Sequence, residues 1–169
     1  MPTLSDPTLL RSEAYIAGQW VNAESGETYP IHNPATGDTL MNVAKCGEIE
    51  TRRAIEAAHA ALPRWRALTA KDRAHLIEGW HDLMIAHKDD LAKILTAEQG
   101  KPLAEAEGEI LYGASYVKWF AEEAKRIYGD TVPSPSNDKR FVTIKQGVGV
   151  VACITPWNFP NAMLARKIA

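Results

Sequence analysis

Four side chains in this sequence have the type and setting to carry chemistry: Cys46, Cys153, Asn158 and Arg166. Cys153 lies within an apolar run, Val148 to Ile154, and a thiolate at a strand end could attack a carbonyl carbon. No histidine is near it in sequence, and a free cysteine in such a run usually packs as a small hydrophobe, so core filler is the expectation. Cys46, beside Lys45, reads as surface or strand-end filler. Asn158 follows the run and precedes a helix-like stretch, where a side-chain amide can donate a hydrogen bond to a developing negative oxygen. The same place suits a residue that only caps the helix, with Pro160 in its first turn. Arg166 comes eight residues later, about 12 Å along a helix and within about 80° of the same face. Its guanidinium could hold a carboxylate while Asn158 addresses the other end of a short substrate. The alternative is an ordinary surface arginine.

Other chemistries find little support. The histidines, His32, His59, His75, His81 and His87, are dispersed and form no H-E-x-x-H pair, so no metal is assigned. Neither G-x-G-x-x-G nor G-x-x-x-x-G-K-[ST] occurs, and Gly147-Val148-Gly149 alone is a weak nucleotide signal. With 19 basic and 21 acidic residues the formal net charge is −2, which argues against a nucleic-acid partner. Of the 169 residues, 46% are hydrophobic and 24% charged, a composition that supports a packed core. The longest apolar run is far shorter than the roughly 20 residues of a membrane-spanning helix. Two cysteines make no disulfide framework, and Met1 to Tyr15 lacks a basic start followed by an apolar block; a cytoplasmic location is expected.

The elements that must position these residues are legible from period and punctuation. From Tyr15 to Lys45 the chain is turn-rich and β-leaning, with Ala17-Gly18 and Asn33-Pro34-Ala35-Thr36-Gly37 as turns between two or three short strands. Near Glu48 the period becomes helical: Ala54, Ala58, Ala61, Trp65 and Leu68 form one apolar face, which Pro63 should kink or interrupt. Thr69 to Asp72 has the shape of a capping box opening a second helix, whose stripe is Leu76, Ile77, Trp80, Leu83 and Met84. A third helix carries Leu91, Ile94 and Leu95 and stops at Gly100; Pro102 at a first helical position opens a long fourth, with Leu103, Ile110, Ala114, Val117, Ala121 and Ala124 buried and Gly129 closing it. After a Pro/Ser-rich stretch, Arg140 to Gln146 resumes extended structure. Val148 to Ile154 then reads as a strand covered on both faces, followed by a turn and a helix, the opening unit of a doubly wound α/β domain.

At that unit the sequence becomes recognisable. Ile154-Thr155-Pro156-Trp157-Asn158-Phe159-Pro160 and Arg166-Lys167-Ile168-Ala169 resemble the aldehyde dehydrogenase superfamily. So do Tyr15-Ile16-x-Gly18-x-Trp20, Asn33 to Gly37, Glu98 to Ala106, and Trp119 to Glu123 running to Ile127-Tyr128-Gly129-Asp130. Together they are most similar to the succinate-semialdehyde dehydrogenase branch, over Tyr15 to Ala169. The resemblance implies the N-terminal part of an α/β enzyme. Residues 1–14 would be a flexible lead-in, 15–130 the N-terminal strands and helices of the cofactor domain, 131–146 an oligomerisation-arm segment and 147–169 the first βα unit of a Rossmann-like sheet, the catalytic domain being absent. It further implies oxidation of a small aldehyde with NADP or NAD, NADP being favoured, by a homo-oligomer whose nucleophilic cysteine and general-base glutamate lie downstream, so that this stretch alone is inactive. Within it, Asn158 matches the oxyanion donor, and Ile154, Thr155, Pro156 and Trp157 match the turn along the cofactor. Phe159 matches a wall of the substrate tunnel, Arg166 the carboxylate-binding arginine, and Lys167 a lysine near the proton path. Cys153 matches neither the nucleophile nor its loop. A non-catalytic helical assembly module of the same family, or a dehydrogenase of another small aldehyde, are the competing readings.

Overall fold

The structure, a computed structural model, describes residues 2–169. Its N-terminal third is two antiparallel hairpins. β1 (Ala14–Ile16) pairs with β2 (Gln19–Val21), and β3 (Thr28–His32) pairs with β4 (Thr39–Ala44). The two turn residues of the first hairpin, Ala17 and Gly18, both have positive φ, the conformation whose twist matches that of the flanking strands. In the second, the Asn33 side chain accepts from the Ala35 amide at 2.9 Å and its carbonyl from the Gly37 amide at 2.8 Å, so the Asn-Pro-Ala-Thr-Gly signal does form the turn.

Helices follow in the order the periodicity predicts: α1 (Glu48–Ala67), α2 (Ala70–Ala86), α3 (Lys88–Gln99) and α4 (Leu103–Glu123). Glu50 begins α1 by accepting the Gly47 amide at 2.7 Å and reaches the Glu24 amide at 2.8 Å. These two amides hold its carboxyl below the usual carboxylate range. Thr69 caps α2 by accepting from the Asp72 amide at 3.2 Å, as the capping-box pattern requires. Gly100 ends α3 at φ 82°, in the left-handed region. After α4 come a small hairpin of β5 (Asp130–Val132) and β6 (Phe141–Thr143), and finally α5 (Pro160–Ile168).

α4 is the organising element. One patch of the core joins Met84 of α2, Ala114 and Val117 of α4 and Ala165 of α5; a second joins Ala92 and Leu95 of α3 to Ala106 and Ile110 of α4. Small residues on α4 let its neighbours come close: a Cβ added to Gly113 would stand 2.3 Å from Asn161 Oδ1 and 3.4 Å from the Ala162 Cα. The N-terminal lead-in is tied to this layer at Asp90. That buried carboxylate accepts from the Asp6 amide at 2.8 Å and from Lys93 Nζ at 3.2 Å.

The amides of Asp6 and Ser5, and then Lys93, hold the Asp90 carboxyl below its usual 3.8. A group depressed in this way stabilises the fold above its unfolded pKa, and the contribution is lost as pH falls through the lower, folded value. Asp90→Asn is therefore expected to lower stability at neutral pH, with the difference from the parent protein closing as pH drops below about 3.8. Denaturant melts of both proteins across that range measure it, and a gap independent of pH would show that the charge contributes nothing.

Several expectations need correction. Residues 148–154 form no strand; Val148 is 93% and Ile154 89% exposed, because a strand is defined by ladder bonds to a neighbour and no described segment makes such bonds with this one. Cys153 is accordingly half-buried rather than core. α1 runs unbroken through Pro63, which lies in its last turns where only one helical hydrogen bond is lost. Of its predicted apolar face, Ala54, Ala58, Ala61 and Trp65 are exposed, and Leu68, just past its end, is half-buried. Leu76 and Leu83 of α2 and Leu103 of α4 are exposed, the buried face of α2 being Ala74 and Met84 with Ile77 and Trp80 half-buried. Pro102 precedes the first residue of α4 instead of occupying it. Gly129 does not close α4, which ends at Glu123; a Cβ there would lie 2.0 Å from the Thr143 carbonyl, so the glycine admits β6.

Candidate active site

Pro160, with its φ already helical and no amide to satisfy, opens α5. The residue at its N-cap is Phe159, which offers no side-chain acceptor, so the cap expected from Asn158 as the alternative to an oxyanion role is not made. The orphan amides are served from another helix. Glu109 Oε1, on α4, accepts from the Asn161 amide at 2.9 Å and the Ala162 amide at 3.3 Å. Its other oxygen takes a hydrogen bond from Lys101 Nζ at 2.5 Å, and Lys101 also donates to the Asn158 carbonyl at 3.0 Å. The same ammonium lies 4.0 Å from the centre of the Phe159 ring, within cation–π range.

Asn158 is therefore held through its backbone, while its side chain is exposed and makes no hydrogen bond to a described residue. Before it, Ile154 and Trp157 are 89% and 79% exposed, Pro156 is exposed and Thr155 half-buried, an uncharged and largely apolar strip. Such a strip fits a flat ring or sugar lying along it better than it fits a second protein charge.

Arg166 is half-buried and does not behave as a free surface arginine. It donates to Tyr116 Oη at 3.2 Å, contacts Met163 Sδ at 3.0 Å, and its guanidinium stacks 5.0 Å from the Tyr116 ring centre. No carboxylate pairs with it among the described residues. Tyr116 is bonded to the Tyr112 hydroxyl; that bond first, and Arg166 second, holds the Tyr116 phenol below its usual range, while the same bond pushes Tyr112 up. Lys167 is exposed on the same helix. The structure thus brings Asn158, Phe159 and Arg166 onto one turn and helix braced by α4, and leaves Cys46 exposed and apart.

Sequence reasoning missed Glu109, Lys101 and Tyr116. A signal for the first was present: Glu109 is a charge set in a stripe of small and apolar residues, Ala106, Ile110, Gly113, Ala114 and Val117, all buried. A fully buried acid almost always has a partner, which the stripe alone does not identify.

Residues 20–169 match the profile of the aldehyde dehydrogenase family. The chain is 60% identical to a glutarate-semialdehyde dehydrogenase of Pseudomonas aeruginosa, over 97% of its own length and 34% of that protein. It is 58% identical to a succinate-semialdehyde dehydrogenase [NADP(+)] of Escherichia coli, again over 97% of its own length and 34% of the relative. Among solved structures, the succinate-semialdehyde dehydrogenase of Burkholderia pseudomallei superposes with a TM-score of 0.97 at 57% identity, over 99% of this chain and 35% of that one. The chain spans about a third of the length of the relatives it matches.

Proposed function

The chain belongs to the aldehyde dehydrogenase family, and from that premise we propose that the protein containing it oxidises succinate semialdehyde to succinate with NADP or NAD, NADP being favoured. The observation that carries the substrate class is Arg166, a half-buried guanidinium with no acidic partner among the described residues, on the helix that follows Asn158. A short aldehyde with a carboxylate tail matches both: the tail pairs with Arg166, and the Asn158 amide donates to the carbonyl oxygen as it gains negative charge. The relatives support this, since succinate and glutarate semialdehydes share that tail and differ by one methylene. One methylene changes specificity by only about 1–3 kcal/mol, so glutarate semialdehyde is the nearest competitor.

Ile154, Thr155, Pro156 and Trp157 supply the surface along which the dinucleotide lies, and Phe159 one wall of the aldehyde's path. The cofactor, when bound, accepts the hydride. Lys167, exposed one residue beyond Arg166, is assigned to the proton path that follows. The nucleophilic thiol and the general base come from residues outside this chain, and residues 131–146, which include β6 and part of the β5–β6 hairpin, serve as the arm of a homo-oligomer.

The test is nucleotide reduction by the full-length protein against succinate semialdehyde, glutarate semialdehyde and an uncharged aldehyde of equal length. Both carboxylated aldehydes are expected to turn over much faster than the uncharged one. Equal rates for all three would remove the substrate assignment. The isolated 169-residue chain is expected to give no turnover; activity there that vanishes with Cys153→Ser would restore Cys153 as a nucleophile.

A further inference from the structure

We infer that Lys101 and Glu109 are positioning residues for Asn158, a role that rests on the reading of Asn158 as the oxyanion donor. Two features of α5 make such a device necessary. Its N-cap residue contributes no side-chain acceptor, and the Asn158 side chain has no hydrogen bond to a described residue, so where that amide sits depends on the backbone that carries it. The backbone on both sides of it is gripped by one ion pair. The Lys101 ammonium holds the Asn158 carbonyl at 3.0 Å and lies on the Phe159 ring, and the Glu109 carboxylate holds the Asn161 and Ala162 amides.

The pair is deep: the side chains are 8% and 0% exposed. Ion pairs at such depth add little stability over apolar residues of the same volume, because desolvation offsets the attraction. Packing α4 against α5 is already achieved by Gly113, Ala114, Ala162 and Ala165. What an apolar pair could not do is bond the carbonyl of Asn158 and the amides after Pro160 at once. The geometry of a reacting group matters steeply, a misplacement of about 1 Å costing on the order of a hundredfold in rate.

The experiment is a double-mutant cycle in the full-length enzyme. Lys101→Met and Glu109→Gln keep the side-chain volume and remove the ammonium or half the carboxylate; each is made alone and together with Asn158→Ala. Lys101→Met is expected to lower kcat roughly tenfold to a hundredfold with the aldehyde KM changed less than about threefold, and Lys101→Arg to restore part of the loss. In the Asn158→Ala background the same replacement is expected to cost less than about threefold, since the group it aims is gone. Equal losses in both backgrounds would overturn the inference while leaving Asn158 as the donor. An unchanged kcat for Asn158→Ala alone would instead remove the donor assignment, and this role with it. If Lys101→Met fails to fold, Lys101→Arg and Glu109→Gln carry the same cycle.

Discussion

Asn158→Ala in the full-length enzyme is expected to lower kcat about a hundredfold to a thousandfold, for carboxylated and uncharged aldehydes alike. The oxyanion forms at the carbonyl whatever the tail carries, so the loss has no reason to depend on the substrate. Nor should it appear in KM, because the interaction strengthens only as charge develops on the oxygen. The side chain makes no hydrogen bond to a described residue and does not cap α5, so its removal leaves the fold supported by Glu109 and Lys101 as before. Steady-state kinetics with two aldehydes, alongside a thermal melt matching that of the parent, separate this from misfolding. A loss confined to the carboxylated substrate would mean that Asn158 binds the tail and not the oxyanion.

Arg166→Ala is expected to show the opposite selectivity. For succinate semialdehyde kcat/KM should fall roughly tenfold to a hundredfold, since a hydrogen bond to a charged group is worth about 1.5–3 kcal/mol and each 1.4 kcal/mol is a factor of ten. For an uncharged aldehyde of the same length it should hardly change. Arg166→Lys, which keeps the charge but loses the planar fork and its stacking on Tyr116, should fall between the two. Since Arg166 also contacts Tyr116 and Met163, an equal loss for both aldehydes would show that the arginine only braces α5 against α4.

The parts of the molecule that follow from local rules were legible in advance. The Asn33 turn, the Thr69 cap, the left-handed Gly100 and the helix opened by Pro160 each depend on a few neighbouring residues, and each forms where the residue pattern puts it. Helix periodicity located all four long helices. It did less well on which face each would bury: Leu76, Leu83 and Leu103 are exposed, while Ala74 and Ala106 are completely buried. Hydrophobicity ranks a side chain by what it gains from burial, but close contact between helices selects by size, and around α4 the small residues won.

The order of elements, the turns and caps, and the motifs that place the chain in its family can all be read from the residues in their order. That Asn158 does not cap α5, that Arg166 rests on Tyr116 with no acid among the described residues, and that Glu109 and Lys101 meet beneath the turn all depend on how the helices pack. Lys101 lies 57 residues from Asn158 in sequence, and Glu109 lies 52 from Asn161. A cap within one turn is set by the dihedral angles of adjacent residues, whereas these contacts exist only after α4 and α5 have packed. Val148 to Ile154 shows the same division in reverse: its composition suits a strand, yet a strand is a relation between two segments, and no described segment pairs with it.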